Sequence, residues 1–312
     1  MGTFGFIFPG QGSQKLGMLV ELANEYDIIQ DTFAEASSVL DIDLWEITQL
    51  DSNNKLDQTH ITQPALLSTS VAIWRLWQQR PVRLPAIMAG HSLGEYSALV
   101  CAGVINFTDA IELVYRRGQY MQLVVPAGAG KMAAIVGLGN HKIREVCRDA
   151  SEGQVVSPAN LNCPGQTVIA GDVAAVERAM AGCKAAGAKR VLPLAVSVPS
   201  HCALMKPAAA QLEGDLKVLK FHQADIPVVQ NVNAAIATDP EEIKQNLIDQ
   251  LVQPVMWVDT IELMAKAGIG KLVECGPGKV LGGLVKRIQP GITTFGTDSS
   301  QLFNSTVEEM SV

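Results

Sequence analysis

Residues 86–100, AIMAGHSLGEYSALV, restrict the fold more than any other stretch of this chain. They contain Gly-His-Ser-Leu-Gly, a G-x-S-x-G match. That motif needs a sharp turn from a buried strand into a helix, with glycines where no side chain fits. A chain with 27 glycines can produce the pattern by accident, so its flanks decide. Ala86, Ile87, Met88 and Ala89 form an apolar run suited to a buried parallel strand. Glu95 to Cys101 reads as a helix, with Glu95 in its positively polarised first turn. Strand, glycine-bounded turn and helix therefore follow in the order the motif demands, and Ser92 stands at the tip.

Strand-like apolar runs alternate with helical patterns along the rest of the chain, which predicts an α/β fold with a mostly parallel sheet. The N-terminal MGTFGFIFPGQG reads as a first strand entering a glycine turn, without the basic start and cleavage site of a signal peptide. Pro64 suits the start of a long helix carrying Leu67, Val71, Trp74 and Trp77. The middle third differs. Residues 131–138, 155–160, 166–170 and 189–196 look like strands, with helices over 141–151 and 173–187. That βαββαβ order is the ferredoxin-like pattern, and VVPAGAG and VPSH punctuate its edges. The expected organisation is a large domain of residues 1–126 and 198–312, with a small domain, 127–197, inserted into it.

The 312 residues can bury a large core. Acidic residues number 31 against 24 basic ones, with no basic cluster, which argues against nucleic acid or anionic membrane as a partner. No apolar run approaches a bilayer span. The six cysteines contain no C-x-x-C pair, so neither a metal site nor a disulfide framework is expected, and reduced thiols in a bacterial-type cytoplasm are the simplest reading.

A serine hydroxyl is a poor nucleophile until a base takes its proton. Among the five histidines, His91 adjoins Ser92, but neighbouring side chains on a tight elbow diverge, so His91 supports the turn instead. His141 falls in the insert, and His60 and His222 lie in polar, loop-like sequence. His201, in SVPSHC, stands where the chain returns to the main sheet and just before a helical pattern, whose N-terminal dipole favours the neutral imidazole a base requires. A capping or core role for His201 stays open.

No acid stands beside His201 in the sequence; Asp149 and Asp172 are taken up by the insert. The stretch NLIDQLVQPVMW offers an alternative orienter. It predicts a helix ending near Val252, and Pro254, lacking an N–H, cannot donate to the carbonyl of Gln250. That carbonyl could accept the Nδ1 proton of His201, although water could cap it as well. Arg117 shares a helical stripe with Ala110, Leu113, Val114, Met121 and Val124, whereas Arg116 falls away from it. An arginine on an apolar face needs an anion, either a protein carboxylate or one on a substrate.

FPGQGSQ at 8–14, TQPALL at 62–67, GHSLGEYSAL at 90–99, YRRGQYMQ at 115–122, VPSHC at 198–202 and ECGPGKVLGGL at 274–284 together resemble the malonyl-CoA:acyl carrier protein transacylases. The likeness runs in order through nearly the whole chain. It implies an α/β-hydrolase-like large domain and malonyl transfer from malonyl-CoA to the phosphopantetheine thiol of acyl carrier protein. The reaction would be ping-pong and pass through a malonyl-Ser92 ester. It further implies that His201 is the base, oriented by the Gln250 carbonyl, and that Arg117 grips the malonyl carboxylate. The N–H groups of Gln11 and Leu93 would form the oxyanion hole. Gln63 and His91 would belong to the substrate-binding residues, and Asn160 and Asn162, in the polar loop PANLNCPG of the small domain, would assist binding. No cofactor is bound permanently; a coenzyme A thioester is the substrate. A cytoplasmic monomer serving fatty acid synthesis is expected.

Three rival readings remain. A thioesterase of the α/β-hydrolase type shares the elbow, but its histidine usually lies near the C-terminus, and here none follows His222. A non-catalytic carrier-protein docking subunit would have no need of Ser92, His201 and Arg117 together. A stand-alone acyltransferase serving a polyketide synthase is closest to the main reading.

Overall fold

The computed structural model describes residues 3–126, 128–194 and 198–311. Strand β1 (Phe4–Phe8) forms the centre of a five-stranded sheet with β2 (Ile87–Gly90), β7 (Val228–Val229), β8 (Lys271–Glu274) and β9 (Thr293–Gly296). Their order is β7-β2-β1-β8-β9, and every pairing is parallel. A parallel sheet is covered on both faces, so its strands read as continuous apolar runs. All five residues of β1 are buried accordingly. Phe6 meets the rings of Trp74 and Trp77 at 5.5 and 4.9 Å, edge-on, on one face. Ile7 joins Ala89, Val229 and Leu272 in a second apolar cluster.

The remaining strands, β3 (Gly130–Val136), β4 (Val156–Cys163), β5 (Gln166–Asp172) and β6 (Arg190–Pro193), make a separate antiparallel sheet in the order β4-β5-β3-β6. Helices Asn140–Ser151 and Val173–Ala185 fall in the first and last gaps and pack with this sheet over a core of their own, built around Ile135, Ile143, Ile169 and Val176. Every element expected between residues 131 and 194 is present within a few residues of its predicted bounds. The tail of the last strand, at 195–196, and the domain limits placed at 127 and 197 lie outside the described residues.

Several local expectations need correction. The helix read as starting at Pro64 begins at Thr59, so Pro64 sits inside it and His60 is helical rather than in a loop. Five residues precede the proline because its missing N–H removes only the bond to the His60 carbonyl, close to the helix start. Asn160 and Asn162 lie on β4, not in a loop. The described structure holds all six cysteines as buried free thiols, and among the described residues no helix is long and apolar enough to cross a membrane.

Candidate active site

The strand-to-helix turn at Ser92 depends on both motif glycines. A Cβ on Gly90 would lie 1.9 Å from the Gly94 backbone, and one on Gly94 would lie 2.0 Å from the Phe8 carbonyl oxygen. Strand, helix and β1 therefore interlock at van der Waals contact with no room for a methyl group. Ser92 itself takes φ 53° and ψ −109°, a conformation non-glycine residues rarely adopt, and one that persists only where the surroundings enforce it. The enforcing residue is Asn231. Its Oδ1 accepts from the Ser92 N–H at 2.7 Å while its Nδ2 donates to the Gly90 carbonyl at 2.6 Å.

Ser92 Oγ lies 2.8 Å from His201 Nε2, and His201 Nδ1 lies 2.6 Å from the Gln250 carbonyl oxygen. A carbonyl only accepts, so Nδ1 carries the proton and Nε2 is free to accept from the serine hydroxyl. The carbonyl is available because Gln250 stands in the last turn of the Pro240–Val252 helix, where four carbonyls lack intrahelical donors. Gln253 then turns extended, at φ −118° and ψ 157°, and leads into Pro254. Neither acid of the insert takes this place: Asp149 is exposed beside Arg148, and Asp172 accepts from the Val155 N–H. His201 is 2% exposed. Burial, reinforced by the charge of Arg117, pushes its pKa down to about 3. The imidazole is therefore neutral at pH 7, and burial rather than the helix dipole is the main cause.

Arg117 is buried at 1% exposure. It reaches this position because Gly118 lets its helix approach the Thr59–Gln78 helix closely; a Cβ there would lie 2.4 Å from the His60 Cα. Neither protein carboxylate nor open solvent receives its terminal nitrogens. Nη1 donates to Gln63 Oε1 at 2.8 Å and Nη2 to Gln250 Oε1 at 2.9 Å. The guanidinium also stands over the Tyr96 ring at 5.3 Å. Arg116 instead faces solvent and pairs with Glu112 and Asp215. Two neutral amides orient the Arg117 cation without neutralising it, which leaves it able to bind an anion.

Ser92, His201 and Arg117 line one cleft of about 650 Å³ of open space, together with Gln11, Leu93, His91 and Asn160. A Cβ at Gly10 would meet the His91 carbonyl oxygen at 2.4 Å and Leu93 N at 3.7 Å, so the Gly10–Gln11 loop runs directly against the elbow. Leu93 opens its helix, and its N–H has no intrahelical acceptor. His91 turns away from Ser92, as the elbow geometry requires. Its Nε2 donates to Asn162 Oδ1 at 2.9 Å, and its ring packs edge-on against Trp257. Gln63, Asn162 and Gln250 stand behind the cleft, hydrogen-bonded to the lining residues Arg117 and His91. Among the described residues no cluster of acidic, histidine or cysteine side chains could hold a metal ion.

Sequence reasoning missed Asn231, which no motif marks, and misread Glu95. Glu95 is completely buried, and burial pushes its pKa up to about 8. A neutral acid cannot serve the helix dipole as a charge.

A strained serine elbow on a parallel sheet, with a neutral histidine against its hydroxyl, is the equipment of acyl transfer, and residues 5–287 match the acyl transferase domain family. The chain is 57% identical over 293 residues to the malonyl CoA-acyl carrier protein transacylase of Salmonella typhimurium, spanning 94% of this chain and 95% of that protein. An acyl carrier protein S-malonyltransferase from Vibrio cholerae superposes with a TM-score of 0.96 at 55% identity, over 97% of this chain and 99% of the other. A malonyl-transacylase solved in complex with its holo type II polyketide synthase acyl-carrier protein gives a TM-score of 0.97 at 52% identity, over 98% and 99%. The chain belongs to the malonyl-CoA:acyl carrier protein transacylase family.

Proposed function

We propose that this enzyme moves malonyl from malonyl-CoA to the phosphopantetheine thiol of acyl carrier protein through an ester on Ser92. The observation that carries the reading is the relay from Ser92 Oγ to His201 Nε2 to the Gln250 carbonyl, opening into the same cleft as Arg117. Arg117 pairs with the malonyl carboxylate and so places the thioester carbonyl at Ser92. His201 accepts the serine proton as Oγ attacks, and the N–H groups of Gln11 and Leu93 hold the oxyanion. When the tetrahedral intermediate collapses, the imidazolium returns its proton to the departing coenzyme A sulfur. The carrier thiol then attacks the malonyl ester while His201 takes the thiol proton. Collapse of this second intermediate passes that proton to Ser92 Oγ, and one base serves both half-reactions. Asn160, on the cleft wall, contacts the acyl chain, while Asn162 and Gln63 hold His91 and Arg117.

The sheet order β4-β5-β3-β6 within a βαββαβ sequence supports a small ferredoxin-like domain inserted at about residues 127–197. The parallel sheet and elbow support a hydrolase-like large domain. The catalytic machinery requires no resident cofactor, only the coenzyme A thioester. A cytoplasmic monomer that binds neither nucleic acid nor membrane fits the acidic balance of the chain. Carrier proteins of polyketide synthesis form a second acceptor class, favoured by the 52%-identical transacylase held by such a carrier.

Intact-mass analysis after mixing with malonyl-CoA tests the acylation step. A malonyl adduct is expected on the wild type and absent from folded Ser92→Ala. An adduct that survives in Ser92→Ala, on a cysteine for example, would refute the assignment.

A further inference from the structure

Glu95 takes no part in the transfer steps, and the Gln250 side-chain amide does more than hold Arg117; both residues are fully buried and adjoin the cleft residues. The Gln250 amide is a junction. Its Oε1 accepts from Arg117 Nη2 at 2.9 Å, while its Nε2 donates to the Ser92 carbonyl at 3.0 Å and to Glu95 Oε2 at 2.7 Å. Arg117 can only donate and the Ser92 carbonyl can only accept, so the amide has one permitted orientation. Both Nε2 hydrogens are used, and Glu95 receives one of them.

Glu95 is itself fixed. The Asn231 N–H donates to its Oε2 at 3.2 Å, and the Asn231 side chain grips Ser92 and Gly90. We propose that Glu95 is a positioning residue for malonyl selectivity. In this role it locks the Gln250 amide and so aims Arg117 at the substrate carboxylate. The proposal rests on the transacylase reading above.

Protonation suits this role. An ionised Glu95 would place a fixed negative charge near Arg117 and compete with the carboxylate of the acyl group. Burial, which pushes the Glu95 pKa up to about 8, keeps the side chain predominantly neutral at pH 7. The neutral carboxyl still supplies the acceptor that Gln250 and Asn231 need. Glutamine offers the same acceptor at the same length, whereas alanine and methionine offer none. Without it a buried Nε2 hydrogen and the Asn231 N–H lose their partner, and the amide is free to tilt away from Arg117.

The test is the single-turnover rate of Ser92 acylation by malonyl-CoA and by acetyl-CoA, which lacks the carboxylate, in wild type, Glu95→Gln, Glu95→Ala and Glu95→Met. Methionine keeps the volume and serves where the alanine cavity unfolds the protein. The malonyl-to-acetyl ratio should fall about tenfold in Glu95→Ala or Glu95→Met and stay within about threefold of wild type in Glu95→Gln. An unchanged ratio in a folded variant lacking the acceptor would overturn the proposal, as would a loss in Glu95→Gln as deep as in Glu95→Met. A wild-type enzyme that takes acetyl as readily as malonyl would refute the transacylase reading itself, and the proposal with it.

Discussion

Replacing Arg117 by alanine isolates what the buried cation contributes. In the free protein the guanidinium is held by Gln63 and Gln250 at 2.8 and 2.9 Å and is only 1% exposed. A malonyl carboxylate bound there forms a charge-assisted pair away from water, worth about 1.5–3 kcal/mol. Its loss translates into a roughly 10- to 150-fold slower acylation by malonyl-CoA. Acetyl-CoA presents a methyl group where malonyl presents its carboxylate, so its rate should change by less than about threefold. Quenched-flow mass analysis of the Ser92 ester with each thioester measures both numbers on one protein, and circular dichroism checks the fold. Equal losses for the two substrates would show that Arg117 is a structural residue, and the carboxylate pocket would have to lie elsewhere.

Other expectations follow from the same geometry. Burial and the nearby Arg117 charge hold the His201 pKa at about 3, and a base works only while unprotonated. Acylation should therefore stay level between about pH 5 and 7, and a rate that halves near 6.5, the unperturbed histidine value, would contradict this. Gln250→Ala keeps the carbonyl that orients His201 but deletes the amide that binds Arg117, Glu95 and the Ser92 carbonyl. Its acylation by malonyl-CoA should drop about 10- to 100-fold, less than the 10²–10⁴-fold or greater loss expected for His201→Ala; an undiminished rate would show that only the backbone matters. Pro254→Ala restores an N–H, but the extended Gln253 has already carried the chain out of the helix. Its rate should remain within about threefold of wild type, and a larger loss would mean that the new N–H captures the Gln250 carbonyl.

Much of this architecture was legible in the sequence because its causes are local. The two glycines around Ser92, the apolar run before it and the βαββαβ alternation each reflect short-range sterics or periodicity. The Gln250 carbonyl was traceable as well, since the last turn of a helix leaves carbonyls without donors; the expected cause was different, because the extended Gln253 and not the missing N–H of Pro254 ends the helix. Arg117 announced itself by interrupting an apolar stripe. What stayed hidden depends on pairing across the fold. Asn231 lies 139 residues from Ser92, in a stretch with no periodic signal. The Gln250 amide joins Arg117 across 133 residues. Glu95 looked like an ordinary first-turn acid because sequence does not reveal that its helix is enclosed on every side. The partners of Arg117 were equally out of reach, for two glutamines carry no charge pattern to betray them.

In the proposed reaction the malonyl group rests on Ser92 and leaves it for a carrier thiol. The direct measurement is to form the malonyl-enzyme, remove coenzyme A, add holo acyl carrier protein and follow both proteins by intact mass. The enzyme should return to its unmodified mass as the carrier gains one malonyl group, with little free malonate formed. Release of malonate at the same rate with or without the carrier would make the protein a hydrolase and refute malonyl transfer from Ser92 to the carrier.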